Sequence, residues 1–318
     1  MRKAVIGCRL RVIAVTLAIV IMPLLTISRP VRGNEFVGSA GLIVYYSTVG
    51  TGPPLLLLSG GPGLDVDYMK PLAERLGGTY QCILLEQRGT GRSQPQALTG
   101  ETISLKLLVE DIEAMRLSLK ADQLRILGHS FGGMLAMAYA AEHPDRIHSL
   151  ILVSSGGVDT RFQSVFLENV IVRAPMRDRD KIQAALARAQ QSEDAGPDLL
   201  HLLLPLYFFD RNAGEQFIAQ GSKAGYHART AGLLQLDLQR NYDVAGRLSG
   251  FSRPVLIIQG HQDPIPESTA IQTHAVLKHS EVIFLDRSGH FPWLEQPQAF
   301  YAHLQSFLRS DSRVDLKH

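Results

Sequence analysis

At 318 residues the chain is long enough for one large α/β domain carrying an insertion, or for two ordinary domains. Hydrophobic residues make up 45% and charged residues 19%, so a core can be packed without disulfides, and a disordered or fibrous chain is excluded. The formal charge is +2, and Arg2, Lys3, Arg9 and Arg11 account for more than that excess, so the remainder shows no nucleic-acid-binding patch.

Those four basic residues open the chain, and an uncharged apolar run from Val12 to Ile27 follows them. The run is long for a signal-peptide core and short for a spanning helix. Residues 1–33 therefore read as a signal peptide or a membrane anchor, and the folded part as exported: periplasmic, secreted or held at a membrane. Cys8 precedes the run and Cys82 falls in an apolar strand, which suggests neither a disulfide nor a zinc site.

From residue 34 onward, short apolar runs alternate with helical periodicity, the pattern of a mostly parallel twisted sheet with helices on both faces. Strands are predicted at Ile43–Ser47, Leu55–Leu58, Cys82–Leu85, Leu124–Leu127, Leu150–Val153, Val255–Gln259 and Val282–Leu285. Leu105, Leu108, Val109, Ile112 and Met115 share one face of a helix that leads to the fourth of these. From 156 to 247 the strand rhythm stops and helices and loops follow. That stretch reads as a helical cap inserted between core segments 34–155 and 248–318, over the carboxyl ends of the strands. A last helix, with Phe300, Leu304, Phe307 and Leu308 on one face, closes the fold.

The chemistry-bearing stretch is Gly128-His129-Ser130-Phe131-Gly132, which joins an apolar strand to an Ala-rich helix. A serine on such a turn is held with strained backbone angles and an exposed hydroxyl, and the Phe131 amide is free for a developing oxyanion. A serine hydroxyl needs a base, and the base needs an orienting acid. His290 follows the strand ending at Leu285, and Asp263 follows the strand ending at Gln259. Asp286 competes for the acid's role, but its place at the end of the strand just before His290 makes a productive bond awkward. His129 is expected to pack or hydrogen-bond locally, and His261 to be a loop residue. In Ser59-Gly60-Gly61-Pro62-Gly63 the paired glycines allow close approach to a substrate, so the Gly61 amide is expected to join that of Phe131 in the oxyanion hole. Glu86-Gln87-Arg88-Gly89-Thr90-Gly91-Arg92-Ser93 reads as structural support for the neighbouring loops.

Together these elements resemble the α/β-hydrolase superfamily over nearly all of the chain after residue 35, and within it the prolyl aminopeptidase (proline iminopeptidase) group. The resemblance implies an α/β-hydrolase fold, a triad of Ser130, Asp263 and His290, and oxyanion donors Gly61 and Phe131. Ser59 stands where the group has histidine, and Glu86 where it has aspartate. The group's cap carboxylates are thought to bind the substrate's free amine; here the cap glutamates are Glu168, Glu193 and Glu215, and none falls in a matching motif. The implied activity is hydrolysis of small peptides or amides through an acyl-enzyme. Hydrolysis of small esters or lactones by the same residues is the alternative, and a non-catalytic ligand receptor is the reading from another class. No metal or organic cofactor is implied, and the expected partner is a small molecule or short peptide. Phe131, Phe291 and Trp293 are expected around the pocket, with a core role for Trp293 equally open.

Overall fold

The computed structural model describes residues 32–192, 196–219 and 225–315. Among them eight strands form one sheet: β1 (Arg32–Val37), β2 (Ile43–Val49), β3 (Pro54–Leu58), β4 (Gln81–Leu85), β5 (Leu124–His129), β6 (Ile147–Val153), β7 (Val255–Gly260) and β8 (Ser280–Leu285). Their spatial order is β1-β2-β4-β3-β5-β6-β7-β8, with β1–β2 and β2–β4 antiparallel and every other pair parallel.

β1 departs from the sequence expectation. Its run Arg-Gly-Asn-Glu-Phe-Val has weak alternation and lies on the sheet edge with Val37 exposed, so it carries little hydrophobic signal. A cut after residue 33 would remove Arg32 and Gly33 from their register with Thr48 and Ser47. Residues 1–31, which hold the apolar run and Cys8, lie outside the described residues. No described helix is long and apolar enough to cross a membrane.

The central strands are apolar on both faces, as helices on each side require. Leu56 and Leu58 of β3 join one core with α2 (Leu105–Ser118) and α3 (Phe131–Glu142), whereas Leu55 and Leu57 join the other with α1 (Lys70–Leu76) and the last helix, α10 (Pro297–Asp315). This is the two-residue period of a pleated strand. Helix α2 starts at Ser104, whose Oγ accepts the Leu107 amide at 3.4 Å, and it buries Leu105, Leu108, Val109, Ile112 and Met115 as expected. Nearly all of α3 is buried, so it shows no polar face.

The Glu86–Ser93 loop has the supporting role expected of it. Arg88 donates from Nε and Nη2 to Asp111 of α2 at 2.8 and 2.7 Å, and from Nη2 to the Ser39 carbonyl at 2.7 Å. Burial raises the Asp111 pKa against the opposing pull of Arg88, and removing one partner of such a pair costs about 3–5 kcal/mol. Cys82 is buried in β4, which pushes its thiol pKa up to about 12.

Between β6 and β7 the described residues form no strand of the sheet. They fold as α4 (Gln163–Ile171), α5 (Met176–Gln191), α6 (Gly196–Leu203), a 3-10 turn (Leu204–Tyr207), α7 (Arg211–Ala219), α8 (Ala228–Asn241) and α9 (Ala245–Leu248). Val170, Ala174, Ile182, Leu203 and Leu206 make a small core of their own there. The segment leaves and returns at one place, where Asp159 and Asp243 form a bridge and the Val244 amide donates to the Val158 carbonyl at 3.0 Å.

Candidate active site

Ser130 stands between β5 and α3 with φ 56° and ψ −119°, a conformation that non-glycine residues rarely adopt. Packing enforces it. A Cβ on Gly128 would lie 2.3 Å from the Gly132 carbonyl oxygen, and a Cβ on Gly132 would lie 2.2 Å from that of Leu58. The glycine spacing is therefore the steric condition for the turn. The Phe131 amide begins α3, at the positive end of the helix dipole. Among the described residues neither it nor the Gly61 amide finds an acceptor.

Asp263 follows β7 and His290 follows β8, and they meet. Nδ1 of His290 lies 2.9 and 3.0 Å from the two carboxylate oxygens of Asp263, whose Oδ1 also accepts the Ile265 amide at 2.9 Å. A carboxylate only accepts, so the His290 proton sits on Nδ1 and Nε2 is left as the basic nitrogen. Both residues are buried. Asp286 is exposed and accepts at 3.5 Å from Gln262, so the geometry separates the two acids that the sequence left in competition. His261 pairs with Glu267 at 2.7 Å, as a loop residue would.

Ser130, His290 and Gly61 line one cavity of about 470 Å³. Its wall is largely apolar and includes Leu199, Leu203 and Leu204 from the α6 region, with Phe166, Tyr207 and Phe291. Phe291 is where the sequence expected it. Phe131 is not, because its side chain turns into a core flanking the sheet, and Trp293 takes the core role that the sequence left equally open. Glu168 is exposed on α4, and Glu215 pairs with Arg211 at 2.9 Å. Glu193 lies outside the described residues.

Loop-to-loop bonds hold this arrangement. Ser59 donates through Oγ to the Leu64 carbonyl at 2.9 Å and accepts from Gln87 Nε2 at 2.7 Å, so the serine in the histidine's place closes the glycine turn. Oδ1 of Asp65 lies 2.9 Å from His227 Nε2 and accepts the Gly91 amide at 2.7 Å. Burial opposes ionisation of Asp65, but bonds from His227, Gly91 and Gly225 outweigh it and leave the pKa lowered.

His129 corrects the expectation of a local role. Its Nδ1 lies 2.7 Å from the Tyr68 hydroxyl and its Nε2 lies 2.8 Å from the His290 carbonyl oxygen, 61 and 161 residues away. The sequence reading also passed over Tyr68, Tyr207 and Glu295. The Tyr207 carbonyl accepts the His290 amide at 2.8 Å. Glu295 takes the Gly289 amide at 2.6 Å on Oε2, and on Oε1 those of Phe209 at 2.7 Å and Asp210 at 3.3 Å. Burial raises its pKa against the pull of those amides.

The fold and pocket are those of a hydrolase: a family model described as alpha/beta hydrolase fold matches residues 53–297, and the chain belongs to that family. Within it the chain is similar to proline iminopeptidases. The proline iminopeptidase of Lactobacillus helveticus is 30% identical over 292 residues, covering 84% of this chain and 95% of the relative. Among solved structures, the proline iminopeptidase of Mycobacterium smegmatis superposes with a TM-score of 0.67 at 20% identity, covering 89% of this chain and 100% of that one. A thermophilic esterase from Thermogutta terrifontis superposes with 0.68 at 20% identity, covering 88% and 99%. Scores this close reflect a shared fold and do not separate substrates.

Proposed function

We propose that the protein is a serine hydrolase that cleaves neutral esters with an apolar acyl group through an acyl-enzyme. The observation that carries the chemistry is the bond of His290 Nδ1 to both Asp263 oxygens, with His290 lining one cavity with Ser130. Ser130 attacks the carbonyl carbon, and His290 Nε2 takes the hydroxyl proton. Asp263 holds the imidazole in the required tautomer and stabilises its charged form. The Gly61 and Phe131 amides receive the oxyanion. His290 then returns the proton to the leaving oxygen, and water repeats the sequence to release the acid. The leucine and aromatic wall supports an apolar acyl group.

A second reading, a proline iminopeptidase, is favoured by the Lactobacillus helveticus relative. It needs a carboxylate for the substrate's charged amine, since an unpaired cation in an apolar pocket is costly. Of the three cap glutamates, Glu193 is the one left to test. Proline 4-nitroanilide, its N-acetylated form and 4-nitrophenyl esters of increasing acyl length separate the readings. Faster turnover of longer esters with no anilide cleavage is expected; preference for the free-amine anilide, lost in Glu193→Gln, would establish the iminopeptidase. Export belongs to this proposal too, supported by the basic and apolar N-terminal run and tested by fractionating cells that express the chain with and without residues 1–31.

A further inference from the structure

We propose that Tyr68 and His129 form a strut that sets the position of the base loop relative to the oxyanion turn. This rests on the serine-hydrolase reading above. The direction of each bond follows from the groups at its ends. At one end the His290 carbonyl only accepts, so His129 Nε2 carries the hydrogen. Nδ1 of His129 is then the acceptor of the hydrogen bond that the Tyr68 hydroxyl donates. The Tyr68 oxygen in turn accepts the Gly60 amide at 2.7 Å. One directed chain therefore runs from the Gly60 amide through Tyr68 and His129 to the His290 backbone.

Both nitrogens of His129 are engaged, so it has no free atom with which to move a substrate proton. Its protonated form would place a hydrogen on Nδ1 against the tyrosine donor; burial and the neighbouring His290 also push its pKa well down. The rings have little room to relax, because Tyr68 stacks on Trp293 at 6.3 Å and His129 meets Trp293 edge-on at 4.8 Å. His129 directly precedes Ser130, while Gly60 directly precedes Gly61, so the strut ties nucleophile, oxyanion donor and base to one another. Tyr68 and His129 are positioning residues, and their loss disturbs the alignment on which an acyl-transfer step depends.

The test compares Tyr68→Phe, His129→Phe and His129→Gln, the last retaining a donor for the His290 carbonyl. Active sites are first counted by stoichiometric reaction with a fluorophosphonate, and rates are expressed per titrated site. We expect kcat per site to fall about 10- to 100-fold in Tyr68→Phe and His129→Phe. KM should stay within about twofold, affinity for a boronic acid that forms the tetrahedral adduct should fall in parallel, and His129→Gln should recover part of the rate. If one variant fails to fold, the other two decide. A kcat per site within about twofold of wild type, or a fall explained by fewer titratable sites, overturns the strut. A wild-type protein that does not titrate sinks the serine-hydrolase reading, and the strut with it.

Discussion

At the carboxyl edge of the sheet the polar groups are held by explicit bonds: Asp263 to His290 and Ile265, Ser59 to Leu64 and Gln87, Glu295 to three amides. The helical segment between β6 and β7 lines the same cavity with leucines and rings and keeps a small core of five buried residues. One region is defined by directional contacts that tolerate little displacement. The other is defined by apolar volume, which can be redistributed at low cost. On the serine-hydrolase proposal, the difference assigns rate and selectivity to different kinds of interaction around one cavity.

The first way to break this contrast is Ser130→Ala, which should lower kcat by about 10⁶ and abolish fluorophosphonate labelling. The turn itself should survive, because alanine keeps the same Cβ; labelling that persists would move the nucleophile elsewhere. Next comes Asp263→Asn, expected to lower kcat by about 10⁴ by stabilising the wrong imidazole tautomer. A near-wild-type rate would separate the buried pair from the chemistry.

Glycine substitutions sharpen the contrast in stability. Gly132→Ala forces a Cβ to within 2.2 Å of the Leu58 carbonyl oxygen, and should cost about 3 kcal/mol together with most of the activity. Gly232, inside α8 and on the cavity wall, has nothing within 4 Å of an added Cβ. Gly232→Ala should therefore raise stability by about 0.5–1 kcal/mol, measured by urea unfolding. Equal effects of the two would erase the distinction between the regions.

The smallest effect is expected remote from the cavity. Glu113 on α2 accepts from Arg116 Nε at 2.9 Å and from the Tyr139 hydroxyl at 2.7 Å, and its pKa is lowered to about 2 from 4.5, chiefly by Arg116. A depressed native pKa gives stability that is fully present above about pH 4.5 and is lost as pH falls toward 2. Because the pair is partly solvated, Glu113→Gln should cost under about 1 kcal/mol and flatten that acid loss, leaving kcat unchanged. An unaltered acid limb would remove Glu113 from that role.

Much of the sheet was legible because β3, β5, β6 and β7 are apolar on both faces and stand between turn residues. Ser130, Asp263 and His290 were legible for the same reason: each follows a strand whose end could be read. β1 was not, because an exposed edge strand has little hydrophobic signal. Tyr68, Tyr207 and Glu295 were hidden because their partners are backbone groups or a histidine, several of them distant in the chain, and a backbone amide leaves no trace in residue identity. His129 was misjudged on the same ground, since nothing next to it in sequence reveals contacts 61 and 161 residues away.

The Tyr207 carbonyl and the Glu295 carboxylate connect the helical segment to the loop that carries His290. That loop therefore has two owners. By reciprocity, free energy that a bound substrate spent on settling the helices would be felt at the imidazole, and a change that tightened the imidazole's seat would be felt by the substrate. Adapting this enzyme to a new substrate by repacking the leucines near Tyr207 should carry a cost in turnover, and the cheapest adaptations should be those furthest in space from residues 207–210.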